Sequence, residues 1–355
     1  MNTAVKAVIG EETVTINSDD LKALAHKLLE KVGVPREDAF RVADELVTCD
    51  LKGMESHGVR WLDIYLKRLI AGSTSPVTDL KIVREKGGML LVDAQNGLGQ
   101  VALSKAVEMG IAKAKDAGTC VVGVRNSNHC GALGYYAEIA TRANMAIMLT
   151  SNSAPLMAPW GGMTLSLGTN PICYGFPGDG FPVIVDMATS ASARGKVFVA
   201  IQKGTKIPDG VALNKDGEPT ADPREAMEGI LLPMCGPKGY GLALMADIMG
   251  GIMTGSNFGQ SVPSLHGDIK HVQHIGHCAV IINIEDFLPV ADFTAKMGES
   301  KRQLKSSKLA KGFSEIFLPG EIEANTLKQR KQQGAKITSG TWNNLQDWAK
   351  KLKVN

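Results

Sequence analysis

The sequence lacks an excess of charge of either sign. Its 355 residues include 39 Lys and Arg and 36 Asp and Glu, which gives a net charge of +3. Nucleic-acid-binding proteins usually carry a strong basic excess or a basic stripe, so we expect no nucleic-acid partner. The densest run of charge, around residues 328–336, is typical of a solvated helix face.

Paired cysteines and a long apolar segment are also missing. No two of the six cysteines form a CxxC pair, which predicts isolated reduced thiols in a reducing compartment. The longest mostly apolar stretch, 241–253, contains Asp247 and is too short to cross a bilayer. Residues 1–14 carry Lys6, Glu11 and Glu12, so they lack the apolar core of a signal peptide. We therefore expect a cytoplasmic protein without a membrane partner.

The chain length favours two domains or one large domain. Helical spacing of apolar residues predicts three helices in the first 75 residues, at 18–32, 36–52 and 57–70, with Ser18 capping the first. Strands and helices alternate from residue 80 onward, which predicts an α/β layered architecture. The predicted strands are 80–83, 89–92, 119–124, 145–150, 182–185 and 278–284, and the further helices are 103–117, 135–143, 236–253 and a charged tail beyond Glu321. An exposed hairpin or loop is predicted at 205–221.

The segment Gly97-Leu98-Gly99-Gln100-Val101-Ala102 matches the G-x-G-x-x-A pattern of dinucleotide-binding turns. However, residues 93–96 separate it from the preceding predicted strand, whereas that turn is tight. The next predicted strand, 119–124, is followed by Arg125-Asn126 and not by an acidic residue for a ribose hydroxyl. We therefore interpret the glycines as a turn that sets the following helix against a sheet.

Two histidines stand in small polar segments. Ser56-His57-Gly58 lies at the predicted start of a helix, where the helix dipole disfavours the protonated form of the His57 imidazole. Ser56 either caps this helix or orients the imidazole ring. His129 follows the predicted strand 119–124, within Asn126-Ser127-Asn128-His129-Cys130-Gly131. Because histidine titrates near neutral pH, both are candidates for general acid/base catalysis. A histidine in a surface loop is the alternative interpretation of each.

Several other segments have the composition of an anion site. Ser153 and Gly168-Thr169-Asn170-Pro171 lie in small polar loops after a predicted strand, which suit a phosphate or carboxylate. Asp186 follows the predicted strand 182–185 and can accept ribose hydroxyls, orient a histidine or cap a helix. Arg194 is a nearby cation, and Lys238 opens a helix whose N-terminus attracts anions.

Four histidines crowd into twelve residues, which makes a transition-metal site conceivable. Their spacing matches no standard zinc pattern, and no cysteine pair accompanies them. We therefore expect no bound metal at His266, His271, His274 and His277.

Taken in order, these motifs make the chain resemble the malate/L-lactate dehydrogenase family with the non-Rossmann nicotinamide-binding fold, which includes sulfolactate, ureidoglycolate and diketogulonate dehydrogenases. No single motif is specific, but the ordered set is, and it spans about three quarters of the chain. The segments are Ser56-His57-Gly58 with Tyr65 and Arg68, Asn96-Gly97-Leu98-Gly99, Arg125-Asn126-Ser127-Asn128-His129 with Gly131, Ser151-Asn152-Ser153, Gly168-Thr169-Asn170-Pro171, Asp186-Met187-Ala188-Thr189-Ser190, Gly195-Lys196, Lys238-Gly239-Tyr240-Gly241-Leu242, Gly276-His277 and Pro319-Gly320-Glu321.

The resemblance implies an α/β fold with two interleaved domains. A non-Rossmann NAD(P)-binding domain would occupy residues 121–284, and a helical or α+β substrate and dimerisation domain would occupy 1–120 and 285–355. It implies a homodimer with active sites near the subunit interface. It also implies hydride transfer between NAD or NADP and C2 of a small 2-hydroxy or 2-oxo acid, such as malate or lactate. We favour NAD, because Asp186 suits a free ribose hydroxyl.

The resemblance also assigns roles to particular residues. The catalytic residues would be His129, which we favour as the proton-transferring group, and His57, with Asp186 or Ser56 orienting the working imidazole. The residues expected to contact the cofactor are Ser153, Asp186, Met187, Ala188, Thr189, Lys238, Pro319, Gly320 and Glu321.

One departure from the family pattern concerns the substrate. The family usually has an arginine four residues after the first histidine, where it pairs with the substrate carboxylate. Here that position is Trp61, and Arg60 stands one residue earlier, which turns the side chain by about 100° on a helix. Either Arg60 still reaches the carboxylate, or Arg194, Arg68 or Arg125 binds it.

Two other functions are compatible with these motifs. An NADPH-dependent reductase of a cyclic imine acid, such as Δ1-piperideine-2-carboxylate, would use the same residues, because imine and ketone carbons are similar. The second is a non-catalytic binding protein of the same fold. The presence of both histidines, Asp186 and Lys238 argues against that second alternative.

Overall fold

The structure is a computed structural model, and it describes residues 12–267 and 269–354. The prediction that the N-terminal segment is not a signal peptide falls mostly outside these residues. Within the described part of the chain, no helix has the length and apolar character needed to cross a membrane. A cytoplasmic location stays a prediction.

Eleven α-helices and twelve strands are assigned within the described residues, besides shorter 3₁₀ and π turns. In chain order they are β1 (Thr13–Ile16), α1 (Ser18–Lys31), α2 (Arg36–Leu51), α3 (Leu62–Ile70), β2 (Lys81–Lys86), β3 (Met89–Asp93), α4 (Gly99–Ala117), β4 (Thr119–Ser127), α5 (Leu133–Arg142), β5 (Met145–Ser151), β6 (Ile172–Phe176), β7 (Val183–Met187), α6 (Arg194–Lys203), β8 (Ala212–Leu213), β9 (Pro219–Thr220), α7 (Pro223–Glu228), β10 (Ile230–Leu231), α8 (Pro237–Asp247), β11 (Ile275–Asn283), α9 (Val290–Lys305), α10 (Glu321–Gln333), β12 (Ala335–Thr338) and α11 (Ser339–Leu352).

The first helices begin at different residues from those predicted. Asn17, and not Ser18, caps α1, because its Oδ1 accepts the backbone N–H groups of Asp19 and Asp20 at 2.8 and 3.3 Å. The third helix begins at Leu62 and not at residue 57, since two 3₁₀ turns precede it. His57 therefore does not lie at the start of an α-helix, and the helix-dipole argument for its neutral form is wrong.

A seven-stranded mixed sheet forms the centre of the molecule, in the order β2-β3-β4-β11-β5-β6-β7. The β3–β4 pair is parallel, and the other neighbouring pairs of this sheet are antiparallel. Dinucleotide-binding doubly wound folds have a mostly parallel sheet, so the α/β, non-Rossmann prediction is confirmed. Helices α4 and α5 pack on the sheet around a buried core that includes Leu103, Val122 and Tyr136.

The two ends of the chain share a second core. Strand β1 pairs antiparallel with β12, and α1 packs on α11. Leu345 and Trp348 of α11 are buried in one cluster with residues of α1, α2 and α3. The two chain ends therefore share one core, and its role as a substrate domain stays a prediction. The predicted division at residue 120 falls inside β4, and β2 and β3 pair into the central sheet, so the exact division stays a prediction.

A third, smaller cluster lies between β5 and α8 along the chain and was not predicted. It contains the three-stranded sheet β10-β8-β9 with α6 and α7, and its buried side chains include Met157, Val197 and Leu231. Strands β8 and β9 pair antiparallel, which confirms a hairpin within residues 205–221.

Candidate active site

The imidazole of His129 is held by contacts to its Nδ1 atom. His129 follows the end of β4, and the hydroxyl of Tyr65 on α3 lies 2.7 Å from Nδ1. The backbone N–H of Gly131 also donates to Nδ1, at 3.3 Å. Because Nδ1 accepts from a backbone amide, its proton belongs on Nε2, which leaves an N–H available to a substrate oxygen.

Trp61 stacks between two imidazoles. Its ring centroid lies 4.7 Å from that of His129 and 5.1 Å from that of His266, with interplanar angles of 26° and 30°. Its indole N–H donates to the carbonyl oxygen of Ser56. Trp61 therefore forms a wall of the candidate site and packs against the plane of the His129 ring.

His57 lies on the segment that precedes α3. The Oγ of Ser56 is 2.9 Å from its Nδ1, so Ser56 contacts this imidazole as predicted from the sequence. Burial and the positive charge of Arg60 both lower the pKa of His57. Burial lowers the pKa of His129 to about 3, and the charge of His57 adds to this effect. Both imidazoles are therefore neutral at pH 7.

Asp50 explains the shape of the segment around His57. Its Oδ2 accepts the backbone N–H of Val59 at 2.8 Å, and a Cβ at Gly58 would lie 1.8 Å from its Oδ1. Only glycine fits at position 58, so the chain turns there and the α-helix starts later.

The glycine motif near residue 97 is a packing feature. A Cβ at Gly97 would lie 2.5 Å from Oγ1 of Thr78, and one at Gly99 would lie 2.1 Å from the carbonyl oxygen of Asn128. The segment that carries His129 thus covers the first residue of α4. This agrees with a turn that sets a helix against the sheet.

His277 occupies the middle of the sheet, on β11. Its Nε2 lies 2.8 Å from Oγ of Ser127 on β4, and its Nδ1 lies 2.9 Å from Oγ of Ser151 on β5. Burial lowers its pKa to about 4. His277 therefore connects the end of β4, which precedes His129, with the end of β5, which precedes Ser153.

The four clustered histidines are spread over different surroundings. His277 is in the sheet, His266 stacks on Trp61, and Nδ1 of His274 contacts Oδ1 of Asn126 at 3.1 Å. Among residues 12–267 and 269–354, no three His, Cys, Asp or Glu side chains are grouped as metal ligands.

Several of the predicted cofactor-binding residues lie together beside α8. The backbone N–H of Ser153 donates to Oδ1 of Asn170 at 3.0 Å, and Nδ2 of Asn170 donates to the carbonyl oxygen of Ala243 on α8 at 3.0 Å. Thr189 is buried, and its Oγ1 donates to the carbonyl oxygen of Thr169 at 3.0 Å. Lys238 is exposed in the first turn of α8.

The remaining predicted cofactor residues meet at β7, the edge strand. Oδ2 of Asp186 accepts the backbone N–H of Gly134 at 2.7 Å, so its carboxylate caps α5. The carbonyl oxygen of Pro319 accepts from the backbone N–H of Ile184 at 3.3 Å. Glu321 pairs with Lys305 and accepts the backbone N–H of Leu318. Its carboxylate thus stabilises the turn at 318–321.

These segments fit a bound nicotinamide cofactor. Asp186, Met187, Ala188 and Lys238 are exposed and therefore accessible to a ligand. A Cβ at Gly168 would lie 2.2 Å from Oγ of Ser153, so the backbone here approaches closely, as it does around bound dinucleotides.

The predicted carboxylate-binding arginines differ in their surroundings. The charge of Arg60 lowers the pKa of both His57 and His266, so its guanidinium lies near the stacked rings. Arg194 is exposed at the start of α6 and donates to the carbonyl oxygen of Met227 at 3.1 Å. Arg125 is paired with Asp93 at 2.9 Å.

Arg68 is 1% exposed. It donates through Nη2 to the carbonyl oxygen of His271 at 2.6 Å, whereas its Nε and Nη1 atoms have no hydrogen-bond partner among the described residues.

Two polar residues of the site were not predicted from the sequence. Tyr65 belongs to one of the family motifs but had no predicted role, although it lies eight residues after His57 in a predicted helix. Glu45 was overlooked, and its position among apolar residues of α2, three residues after Val42, was the available signal. Its Oε1 accepts the backbone N–H of Ala132 at 3.1 Å.

Comparisons with known proteins show the family of this chain. The model of the family described as malate/L-lactate dehydrogenase matches residues 16–346. The chain is 41% identical to an L-sulfolactate dehydrogenase of Methanocaldococcus jannaschii, over 96% of this chain and 98% of that protein. The solved structure of a sulfolactate dehydrogenase from that organism superimposes with a TM-score of 0.92, over 96% of this chain and 98% of that one.

Two further relatives are similar over nearly the whole chain. A malate dehydrogenase of Pyrococcus abyssi is 38% identical, over 98% of each chain. The structure of a Δ1-piperideine-2-carboxylate reductase from Pseudomonas syringae is 28% identical, over 95% of this chain and all of that one, with a TM-score of 0.85. The chain is thus a nicotinamide-dependent dehydrogenase of hydroxy acids, and it belongs to the malate/L-lactate dehydrogenase family.

Proposed function

We propose that this enzyme transfers a hydride between NAD(P) and C2 of a small 2-hydroxy acid, with His129 exchanging the proton of the C2 oxygen. The observation that carries this proposal is the pair of contacts to Nδ1 of His129, from Tyr65 at 2.7 Å and from Gly131 N–H at 3.3 Å. They leave Nε2 as the atom that meets the substrate oxygen. His57 would be the second histidine beside the substrate, oriented by Ser56.

The nicotinamide ring, when bound, supplies or accepts the hydride. We propose that Ser153, Lys238, the exposed segment from Asp186 to Ala188 and the 319–321 turn hold the cofactor. Thr189 would support this segment from inside the protein, because it is buried and both its hydroxyl and its backbone N–H donate to the carbonyl oxygen of Thr169. We favour NAD over NADP, since a carboxylate at position 186 repels a ribose phosphate.

Arg60 is the better candidate for the substrate carboxylate. Its charge acts on the pKa of His57 and of His266, whereas Arg194 lies in the separate cluster around α6 and α7. A guanidinium orients a carboxylate well because it can donate two parallel hydrogen bonds. Arg60 would therefore hold C1 while the C2 oxygen meets His129.

The substrate we favour carries a second anionic group. The two relatives of highest identity described above act, by their names, on sulfolactate and on malate. Each of these compounds carries a second anionic group besides the carboxylate next to C2. The charge of Arg68 also lowers the pKa of His266, so two guanidinium groups act near this wall of the site. We expect sulfolactate or malate to be a better substrate than lactate.

The test is an absorbance assay of NADH and NADPH oxidation with a panel of 2-oxo acids. We expect turnover with oxaloacetate or sulfopyruvate, and slower turnover with pyruvate. Turnover only of a cyclic imine acid with NADPH would favour the reductase alternative. Absence of turnover with every compound, despite cofactor binding, would favour the non-catalytic alternative.

We also propose a homodimer. Large apolar side chains on one face of α8 and the turn after it are between 37% and 55% exposed, and contiguous exposed apolar surface often marks a protein interface. These residues are Leu244, Met245, Ile248, Ile252 and Met253. Light scattering coupled to size-exclusion chromatography should give twice the chain mass, and Ile248→Glu should give the monomer.

A further inference from the structure

A group of buried polar side chains lies next to the Tyr65–His129 pair. Glu45 of α2 is 0% exposed and Gln100 of α4 is 1% exposed. Oε2 of Glu45 and both polar atoms of the Gln100 side chain have no hydrogen-bond partner among the described residues. Unpaired buried polar atoms cost free energy, so their presence beside a catalytic histidine indicates a role.

Glu45 packs directly on the backbone that follows His129. Its Oε1 accepts the N–H of Ala132 at 3.1 Å, and a Cβ at Gly131 would lie 2.3 Å from the same oxygen. Tyr65 lies close to both groups. Its hydroxyl is 2.7 Å from Nδ1 of His129, and its pKa, raised by burial, is raised further by the charge of Glu45 and lowered by the Gln100 side chain. Glu45, Gln100, Tyr65 and His129 are thus buried neighbours.

His129 needs such a group if it is to transfer a proton at neutral pH. Its imidazole is neutral there, since its pKa is lowered to about 3. Its Nδ1 accepts from Tyr65, so the ring can pass a proton from one nitrogen to the other but cannot store one. Each turnover produces or consumes one proton at the substrate oxygen, and that proton needs a donor or acceptor.

We propose that Glu45 stores this proton and exchanges it with His129 through Tyr65. The inference rests on the proposed function. In reduction, the C2 oxygen takes the proton of His129 Nε2 as the hydride arrives, and Nδ1 takes the proton of the Tyr65 hydroxyl. Tyr65 then regains a proton from the carboxylic acid of Glu45, through an internal water molecule bound by Gln100. Glu45 becomes a carboxylate. After turnover, solvent protonates Nε2 of His129, and the proton on Nδ1 returns through Tyr65 to Glu45, which restores the starting state. Oxidation runs the same steps in reverse.

The surroundings of Glu45 favour this role. Burial raises its pKa to about 8, so it holds a proton at pH 7 and can release it. The titratable groups that face it are Asp44, Cys49 and Asp50 on α2, Tyr65 on α3, Cys130 before α5, and Tyr135 and Tyr136 on α5. None of these is a cation. The hydrogen bonds from Ala132 N–H and from the Cys49 thiol at 3.3 Å favour the carboxylate, but burial outweighs them.

The test uses Glu45→Gln, which keeps the side-chain volume and the acceptor for Ala132 N–H. In the wild type we expect kcat for reduction to fall, and kcat for oxidation to rise, as the pH passes through about 8. In Glu45→Gln we expect kcat in both directions to fall about tenfold or more and this transition to disappear. Infrared difference spectra of the cofactor-free protein between pH 7 and 9.5 (about the limits of the transition) should lose one carboxylic-acid band in the variant.

Asp50→Asn is the matched control, because Asp50 is a second buried carboxyl on α2 whose pKa burial raises to about 8. It contacts Val59 N–H and not the Tyr65–His129 pair. We expect this variant to keep the transition in kcat. If Asp50→Asn removes the transition and Glu45→Gln keeps it, the proposal is overturned.

Tyr65→Phe keeps the proposal testable if Glu45→Gln does not fold. It should abolish the transition in kcat while the infrared band of Glu45 persists. Glu45 still holds its proton in this variant, but without the Tyr65 hydroxyl it does not exchange that proton with His129. An unchanged pH profile in Tyr65→Phe would refute the relay. A wild type without turnover would instead refute the proposed function, and the infrared measurement would still show whether Glu45 holds a proton.

Discussion

The Tyr65 hydroxyl lies 2.7 Å from Nδ1 of His129, although 64 residues separate them in the sequence. The N–H of Gly131 also donates to Nδ1, at 3.3 Å, so Nε2 is the imidazole nitrogen that meets the substrate in the proposed reaction. The proposed catalytic unit is therefore a tyrosine–histidine pair, formed where Tyr65 of α3 meets the segment that follows β4.

Removing the hydroxyl should weaken catalysis without unfolding the protein. We expect Tyr65→Phe to lower kcat by about tenfold to a hundredfold, because the positioned proton partner of His129 is lost. Steady-state kinetics in both directions would measure this effect. Tyr135→Phe is the control, since it removes a hydroxyl bond to Asp44 outside the site and should change kcat less than twofold (about the scatter of such measurements).

Trp61 should control the ionisation of His129. In Trp61→Leu we expect the pKa of His129 to rise from about 3 toward its ordinary value near 6.5, because loss of the stacked indole admits water. Proton NMR titration of the imidazole would follow it. His277, buried in the sheet, serves as the internal control, and an unchanged titration of His129 would contradict a shielding role for Trp61.

Substrate affinity should depend on Arg60. We expect Arg60→Gln to raise KM for the 2-oxo acid about tenfold or more, because a charged hydrogen bond to the carboxylate contributes about 1.5–3 kcal/mol. Arg194→Gln tests the other candidate from the sequence and should have a smaller effect. Arg41→Gln, which removes an exposed ion pair with Glu108, is the control for loss of a positive charge. A larger increase in Arg194→Gln than in Arg60→Gln would reverse our assignment.

Stability should fall as the pH rises from about 6.5 to about 8. Burial raises the pKa of Glu45 and of Asp50 to about 8 in the folded protein, so the folded state binds more protons than the unfolded state in this window. Each group lowers the free energy of unfolding by up to about 1.4 kcal/mol per pH unit.

Urea denaturation at several pH values would measure this slope. The variants Glu45→Gln and Asp50→Asn should each reduce it. The pKa values of His129 and His277 are lowered in the folded protein, so these residues make the free energy of unfolding rise with pH. They do so only below about pH 6.5, where the unfolded chain binds more protons at these two histidines than the folded protein does. A free energy of unfolding that rises across the window would contradict the burial of neutral carboxyls.

Close packing at the start of α4 should make Gly99 intolerant of substitution. A Cβ there would lie 2.1 Å from the carbonyl oxygen of Asn128, so we expect Gly99→Ala to destabilise the fold by about 1–3 kcal/mol and to displace His129. Gly241→Ala is the control, because nothing lies within 4 Å of its Cβ position in α8. Helix propensity predicts that it stabilises by up to about 1 kcal/mol, and thermal unfolding of both variants would decide.

Local sequence patterns predicted much of the fold. Apolar periodicity located α1, α2, α4 and α5 and most strands of the central sheet to within a few residues. It missed β1 and β12, because four residues are too few to establish a period and their pairing joins the two chain ends. The same periodicity predicted a start for the third helix that is too early. The carboxylate of Asp50 accepts a hydrogen bond from Val59 N–H and changes the backbone there, and this leaves no trace in the spacing of apolar residues.

The sequence by itself determined the family to which this chain belongs. The order of the motifs along the chain was enough to place His57, His129, Ser153 and Asp186 in one family of dehydrogenases, because chemistry-bearing residues stand in short, recognisable segments.

The tertiary structure decided how those segments meet. Strand β11 enters the sheet between β4 and β5, so His277 joins two segments that local periodicity could not pair. Tyr65 of α3 contacts His129, and Glu45 of α2 accepts the N–H of Ala132, so two helices meet the segment that follows β4. The residues in these contacts are tens to more than a hundred positions apart in the sequence. The contacts form because whole helices and strands bury their apolar faces against one another, which the pattern of neighbouring residues does not predict.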